Sequence, residues 1–306
     1  MLKTNQIRIR DPFIVTYQGI YYMYGTHVTP DAASCSLYVY RSRDLSNWEE
    51  PQLVFAVPEE FWGGDPLWAP EVHLYNGRYY LLVTLLGKHG LRGTQIAVAD
   101  TPVGPFIPVT NGPATPMERS CIDGTLYVEN GTPYIVYSAD WPDNYIPEKD
   151  IYVGQIRAVQ LTENLTQMAG EPFTLFASTE CPLSAAAPCH PSAAEGWVTR
   201  YGSDGPFLRR MENGSLILTW SPVLDTTYVV LGAISESGTI RGPGKHLSAP
   251  IFEKNGGHSM AFKDLEGRLI MSLHQPEHQP DERAAFWLVK EEKGILTVEP
   301  LPFSNH

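Results

Sequence analysis

Four carboxylates stand where strand-like apolar runs begin, positions a hydrophobic core would not choose for them. Asp11 heads "DPFIVTYQGIYYMYGT", Glu71 lies in "WAPEVHLYNGRYYLLVT", Asp123 in "IDGTLYVENGTPYIVYS" and Asp204 in "DGPFLRRMENGSLILTWS". His258, in "GGHSMAFKDLEGRLIMSLH", takes the corresponding place in a fifth stretch. Taken singly, each acid reads equally well as a turn residue whose carboxylate accepts nearby backbone N–H groups. Taken together around one pocket, they could hydrolyse a glycosidic bond. That chemistry needs one carboxyl that keeps its proton for the leaving oxygen and a second that stays ionised. A third carboxylate can orient the acid and raise its pKa by like-charge repulsion. Such a crowd of acids is expected to include at least one raised pKa.

The elements that would gather these residues repeat along the chain. Each leader is followed by a short apolar strand, a turn glycine (Gly19, Gly77, Gly131, Gly214 or Gly267) and a second aromatic or β-branched strand. This is a hairpin signal. The leaders are 60, 52, 81 and 54 residues apart, room for about four strands per unit, and helical periodicity is hard to find. The pattern predicts an all-β, five-bladed β-propeller forming a single domain over residues 1–306. The innermost strand of each blade lines the channel, so five equivalent leaders would converge at one mouth. The longest interval contains "STECPLSAAAPCHPSAAEGW" and reads as a long loop or extra hairpin between the third and fourth blades.

Composition narrows the partners. Charged residues make up 18% and aromatics 11%, with 16 Tyr and 7 Trp, and Gly and Pro number 26 each, which suits short strands joined by tight turns. A net charge of −12 disfavours nucleic acid and anionic membrane, both of which need a basic patch. No apolar run is long enough for a transmembrane helix. The start "MLKTNQIRIRDPF" has no apolar h-region, so the expectation is a cytoplasmic protein. Cys35, Cys121, Cys181 and Cys189 form no CxxC pair, and all four are read as reduced thiols. Of the tryptophans near the leaders, Trp62, Trp68, Trp141 and Trp220, the last reads as packing and Trp68 as pocket wall.

The RDP of Arg10 to Pro12, the WAPEV of Trp68 to Val72, IDGTLY around Asp123, DGPFL from Asp204 and GGH ending at His258 together resemble glycoside hydrolase family 43, from about Ile7 to Val298. The resemblance implies a five-bladed propeller that hydrolyses with inversion. Its implied substrates are oligosaccharides carrying arabinofuranosyl or xylosyl groups. An exo-acting α-L-arabinofuranosidase is the first reading. A β-xylosidase, an endo-arabinanase and a non-catalytic carbohydrate-binding propeller are the alternatives. Asp11 matches the general base and Asp123 the aspartate that orients the acid. Asp204 stands where the family's acid is usually glutamate, a side chain longer by one methylene. Glu195 is the alternative acid. His258 matches a channel histidine that faces a calcium or sodium ion held largely by water. It reads also as a backbone-bonded buried histidine or as a donor to a substrate hydroxyl. Trp68, Glu71 and Arg283 are the further expected substrate contacts; no organic cofactor is implied.

Overall fold

The computed structural model describes residues 1–27, 35–189, 198–242, 244–292 and 294–301. The fold is all-β, with three 3-10 turns (Thr4–Gln6, Trp141–Asp143 and Ser178–Glu180) among the described residues. Five of the seven sheets among the described residues follow one another along the chain, and each opens its main hairpin with the strand that carries a sequence leader. These first strands are Ile9–Tyr17, Gly63–Tyr75, Cys121–Glu129, Asp204–Arg210 and Gly257–Lys263. Each pairs antiparallel with the strand that follows it. Two-residue loops close the first three hairpins: Gln18–Gly19, Asn76–Gly77 and Asn130–Gly131 all have positive φ at both positions. That is the type I′ turn, which matches the right-handed twist of the strands and which a glycine enters without steric cost.

Alternate side chains of these sheets fill the spaces between them. Tyr22, Tyr24 and Val39 of the first sheet pack on Val72, Leu81 and Val83 of the second. Leu82 and Ile96 pack on Ile135 and Tyr137 of the third, which packs through Val136 and Ile156 on Leu218 and Trp220 of the fourth. Ile217 and Val230 meet Met271 and Leu273 of the fifth. The last sheet returns to the first, with Met260, Ile270 and Phe286 against Ile9, Ile14 and Trp48. Burying one such large apolar side chain contributes about 1.5–3 kcal/mol.

A further sheet is built from two insertions, one between the second and third strands of the third sheet and one between the third and fourth sheets. Tyr145–Ile146, Ile151–Val153, Val198–Tyr201 and Ala187–Cys189 are its strands in spatial order. The sequence expectation of a long loop or extra hairpin between the third and fourth blades is met in part: Ala187–Cys189 and Val198–Tyr201 pair antiparallel there, while the other two strands come from within the third sheet. Cys35, Cys121 and Cys181 are free thiols.

Candidate active site

Every first strand breaks register with its partner at a β-bulge near its start. The irregularities fall between Arg10 and Phe13, Trp68 and Glu71, Ile122 and Thr125, Asp204 and Phe207, and Gly257 and Met260. At each bulge one residue turns left-handed: Asp11 (φ 52°), Ala69 (46°), Asp123 (55°), Gly205 (57°) and His258 (53°). A bulge re-aims the side chain it carries. The set of equivalent leaders inferred from sequence therefore needs correction. Asp11, Asp123 and His258 do share one structural position. In the second and fourth sheets that position belongs to Ala69 and Gly205. Glu71 lies two residues after its left-handed residue and Asp204 one before it.

The left-handed residues are tied to the preceding sheet through side chains of its second strand. Ala69 N–H donates to Thr26 Oγ1 (2.7 Å), Asp123 N–H to Thr84 Oγ1 (2.9 Å) and His258 N–H to Ser221 Oγ (2.8 Å). Between the third and fourth sheets the tie is doubled: Gly205 N–H donates to Asp123 Oδ2 (3.0 Å), and Ser138 Oγ meets Ser203 Oγ (2.7 Å). From the fifth sheet back to the first, Asp11 N–H donates to Nδ1 of His274 (3.2 Å). Each of these donors would otherwise be buried without a partner, at a cost of about 1–3 kcal/mol apiece.

Asp11, Asp123, Asp204, His258 and Trp68 come together on a cavity of about 510 Å³, with Arg10, Thr26, His27, Asp140, Arg200, Tyr228 and Glu277 also on its walls. Asp11 is buried; Thr26 Oγ1–H donates to its Oδ2 at 2.7 Å and Nδ1 of His258 lies 3.2 Å from its Oδ1. Burial by itself would push the Asp11 carboxyl up, but the charge of His258, with that of Arg10, outweighs it and holds Asp11 well below the ordinary carboxylate range. A ring nitrogen that accepts the Asp11 N–H cannot also donate to the Asp11 carboxylate. We therefore place the His274 proton on Nε2, which meets Glu277 Oε2 at 2.5 Å, and take His258 and Arg10 as the charges that keep Asp11 ionised.

The other two aspartates are driven the opposite way. Burial first, then the charges of Asp204 and Asp11, push Asp123 up to about 7 against the opposing pull of His258 and Gly205 N–H. Burial also raises Asp204, against the cations Arg200, His258 and Arg10. Tyr228 Oη–H reaches Asp204 Oδ2 at 3.5 Å, and the Tyr228 ring stacks on His274 (centroids 5.5 Å apart, 23° between planes). His258 is itself shifted upward: burial opposes its charge, but Asp11, Asp123, Glu71 and Asp204 outweigh that opposition. One cavity thus holds a carboxylate kept ionised and a pair biased toward carrying a proton.

The other expected residues fall in several places. Trp68 lines the cavity under the guanidinium of Arg92, whose Cζ sits 3.5 Å from the ring centroid. Glu71 is buried beside the cavity and bonds His73 Nε2 at 2.7 Å. Arg283 is spent on backbone carbonyls of Asn5, Pro280 and Glu282 and lines a different surface groove, so the structure does not bring it to the site. Trp62 donates to Gln95 within the second sheet, and Trp220 is fully buried. Glu195 and the side chains of Trp141 and Cys189 lie outside the described residues. Sequence reasoning missed Tyr228, His274, Glu277 and Arg200. His274 had a findable signal, since it faces Gly257 across its hairpin as Thr26 faces Arg10 and Thr84 faces Trp68.

Among the described residues, no three His, Cys, Asp or Glu side chains converge as ligands for a metal ion. His258 turns Nδ1 toward Asp11 and Asp123 (3.2 and 4.0 Å), the contact of an imidazolium with carboxylates. These side chains do not make a cation cage, and no chemical step below is routed through a metal.

Comparison with known proteins fits this site. The family model "Glycosyl hydrolases family 43" matches residues 4–288, and the chain belongs to that family of glycoside hydrolases. It is similar to a solved endo-arabinase from Bacteroides thetaiotaomicron, with 34% identity and a TM-score of 0.83 over 96% of this chain and 98% of that one. A xylosidase/arabinosidase from Bacteroides ovatus is 25% identical over 53% of this chain and 57% of its own length. An extracellular endo-α-(1→5)-L-arabinanase from Bacillus subtilis is 30% identical over 30% of this chain and 29% of its own length. The matches thus span less than two thirds of either of these curated relatives.

Proposed function

We propose that the protein hydrolyses α-L-arabinofuranosyl linkages of oligosaccharides with inversion, releasing terminal arabinose. The observation that carries this reading is the split ionisation around one cavity, with Asp11 held ionised while Asp123 and Asp204 are biased toward protonation. Asp11 is the general base: it takes a proton from the attacking water as that water's oxygen bonds the anomeric carbon. Asp204 is the general acid and delivers its proton to the departing glycosidic oxygen. Asp123 positions it. Its Oδ2 accepts the N–H of Gly205, next to Asp204, and this bond together with the nearby His258 favours the ionised form of Asp123. The proton of the pair is then assigned to Asp204, against the cations Arg200, His258 and Arg10 that favour its charged form. Inversion requires the base and acid carboxyls to stand about 6.5–9.5 Å apart, leaving room for water.

An exo-acting pocket is supported by Arg200 of the extra sheet, which lines the cavity together with Asp140 and Pro142 from the segment that leads into that sheet. An endo-acting arabinanase is the second reading, favoured by the likeness to the Bacteroides endo-arabinase over nearly the full length of both chains. We also infer a single-domain, five-bladed propeller, supported by the packing of the fifth sheet against the first and by the Asp11–His274 bond between them. The test is to follow arabino- and xylo-oligosaccharide hydrolysis by NMR. A first product of inverted configuration, mostly monosaccharide, supports the exo reading, and internal cleavage supports the endo reading. A first product of retained configuration overturns the mechanism.

A further inference from the structure

The added sheet does more than line the cavity through Arg200. Its register places Tyr145 opposite Tyr152, Tyr152 beside Arg200, and Arg200 opposite Ala187. Residues paired across adjacent strands share a face of the sheet. Arg200 belongs to the cavity wall, so the row Arg200, Tyr152, Tyr145 leads outward from the cavity along one face. Neighbouring strands lie about 4.8 Å apart, so the two tyrosines stand about one and two strand spacings beyond the arginine.

Tyr145 is 45% exposed although it is a large aromatic, and its ring is held in place. It packs on Tyr152 (centroids 4.8 Å apart, 39° between planes), and its hydroxyl donates to Asp150 Oδ1 at 2.8 Å. A ring fixed in this way loses little freedom when something stacks on it. The surrounding Asp143, Glu148 and Asp150 are exposed carboxylates. They repel an anionic ligand and accept hydrogen bonds from hydroxyl groups. An aromatic face for C–H groups with acceptors at its rim suits a neutral polyhydroxylated chain.

We propose that Tyr152 and Tyr145 form a stacking platform for sugar residues beyond the one held at the carboxylates, so that the substrate is an oligosaccharide chain of three residues or more. This rests on the functional reading above and deepens it. The variants are Tyr145→Ala/Tyr152→Ala and, as a control that keeps the ring, Tyr145→Phe. The kcat/KM ratio of arabinotetraose to p-nitrophenyl α-L-arabinofuranoside is measured for each. The tetraose also binds calorimetrically to the same variants in an Asp11→Asn background. If the rings contribute as aromatic contacts commonly do, the double variant loses about 10-fold in that ratio and in tetraose affinity, whereas Tyr145→Phe keeps most of both. A ratio and an affinity unchanged in a folded double variant overturn the platform while leaving the glycosidase reading standing. A wild type that cleaves no arabino- or xylo-oligosaccharide overturns the functional reading, and the binding arm then decides on the platform by itself.

Discussion

The assignment of Asp11 as a permanently ionised base can be tested by removing the charge beside it. In His258→Gln the side chain stays polar and the backbone N–H can still donate to Ser221. The wild-type imidazolium lies 3.2 Å from Asp11 Oδ1. At an effective dielectric of about 20, unit charges at that distance attract by about 5 kcal/mol, equivalent to about 4 pKa units. Both groups touch the solvent of the cavity and Arg10 remains, so a shift of about 2–3 units is the expected outcome. The sign follows from the role. Asp11 works only when ionised, and its pKa is now held below the ordinary range, so the wild-type acidic limb of kcat/KM lies at very low pH. Without His258 the burial that raises Asp11 is opposed by less charge, and the acidic limb moves up in pH. The assay is kcat/KM against pH on an aryl arabinofuranoside, run in chelator and in added calcium so that a cation cannot be the cause, with folding checked by circular dichroism. An acidic limb that stays in place in a folded variant refutes the claim that His258 keeps the base ionised.

Asp11→Asn keeps the side-chain shape but cannot accept the proton, so turnover should fall about 100-fold or more while oligosaccharide binding persists in calorimetry. Asp204→Ala should slow natural oligosaccharides far more than aryl glycosides with acidic leaving groups, as initial rates on the two substrates would reveal; equal damage to both removes Asp204 from the acid's role. Asp123→Asn removes a charge that favours the proton on Asp204, so the alkaline limb of the rate profile should move to lower pH. Tyr228→Phe removes a donor to the ionised form of Asp204, so that limb should move up, by less than about one unit because the contact is long at 3.5 Å. Thr84→Val leaves the Asp123 N–H without its acceptor, which should lower stability in urea unfolding by about 1–3 kcal/mol.

Much of the architecture was legible because hairpins announce themselves locally. Asn76–Gly77 and Asn130–Gly131 mark type I′ turns, and the apolar strands on either side carry the core. Asp11, Asp123 and His258 were legible as a set because each stands at the same place in its hairpin. Asp204 and Glu71 were grouped with them by motif alone, and the left-handed residues of their strands, Gly205 and Ala69, show that they stand one and two residues away from the shared position. Arg283 could not be placed from sequence, since one of the three backbone carbonyls that hold it, that of Asn5, depends on the N-terminal segment coming alongside the last sheet. Tyr228, Arg200 and Glu277 reach the cavity from segments with no counterpart in the hairpin pattern, so no periodicity could find them.

The bulge also explains how a fold made of repeated hairpins holds charges at its centre. A regular first strand would point its early residues alternately into the two inter-sheet cores, where an unpaired carboxylate is too costly to keep. Turning one residue left-handed takes Asp11, Asp123 and His258 out of that alternation and toward a common cavity. It also leaves a backbone N–H without a ladder partner, and Thr26, Thr84, Ser221 and His274 of the second strands supply acceptors for four such groups. The fourth sheet departs from this scheme in a way that serves the chemistry. There the left-handed residue is Gly205, and a Cβ at that position would lie 2.8 Å from the His258 ring. A side chain is excluded, so the carboxyl of this sheet comes from Asp204, one residue earlier. The Gly205 N–H is accepted by the Asp123 carboxylate, so the group that fixes the strand under Asp204 is also the one whose charge favours the proton on it. Asp204 therefore approaches the cavity from a different strand position than Asp11.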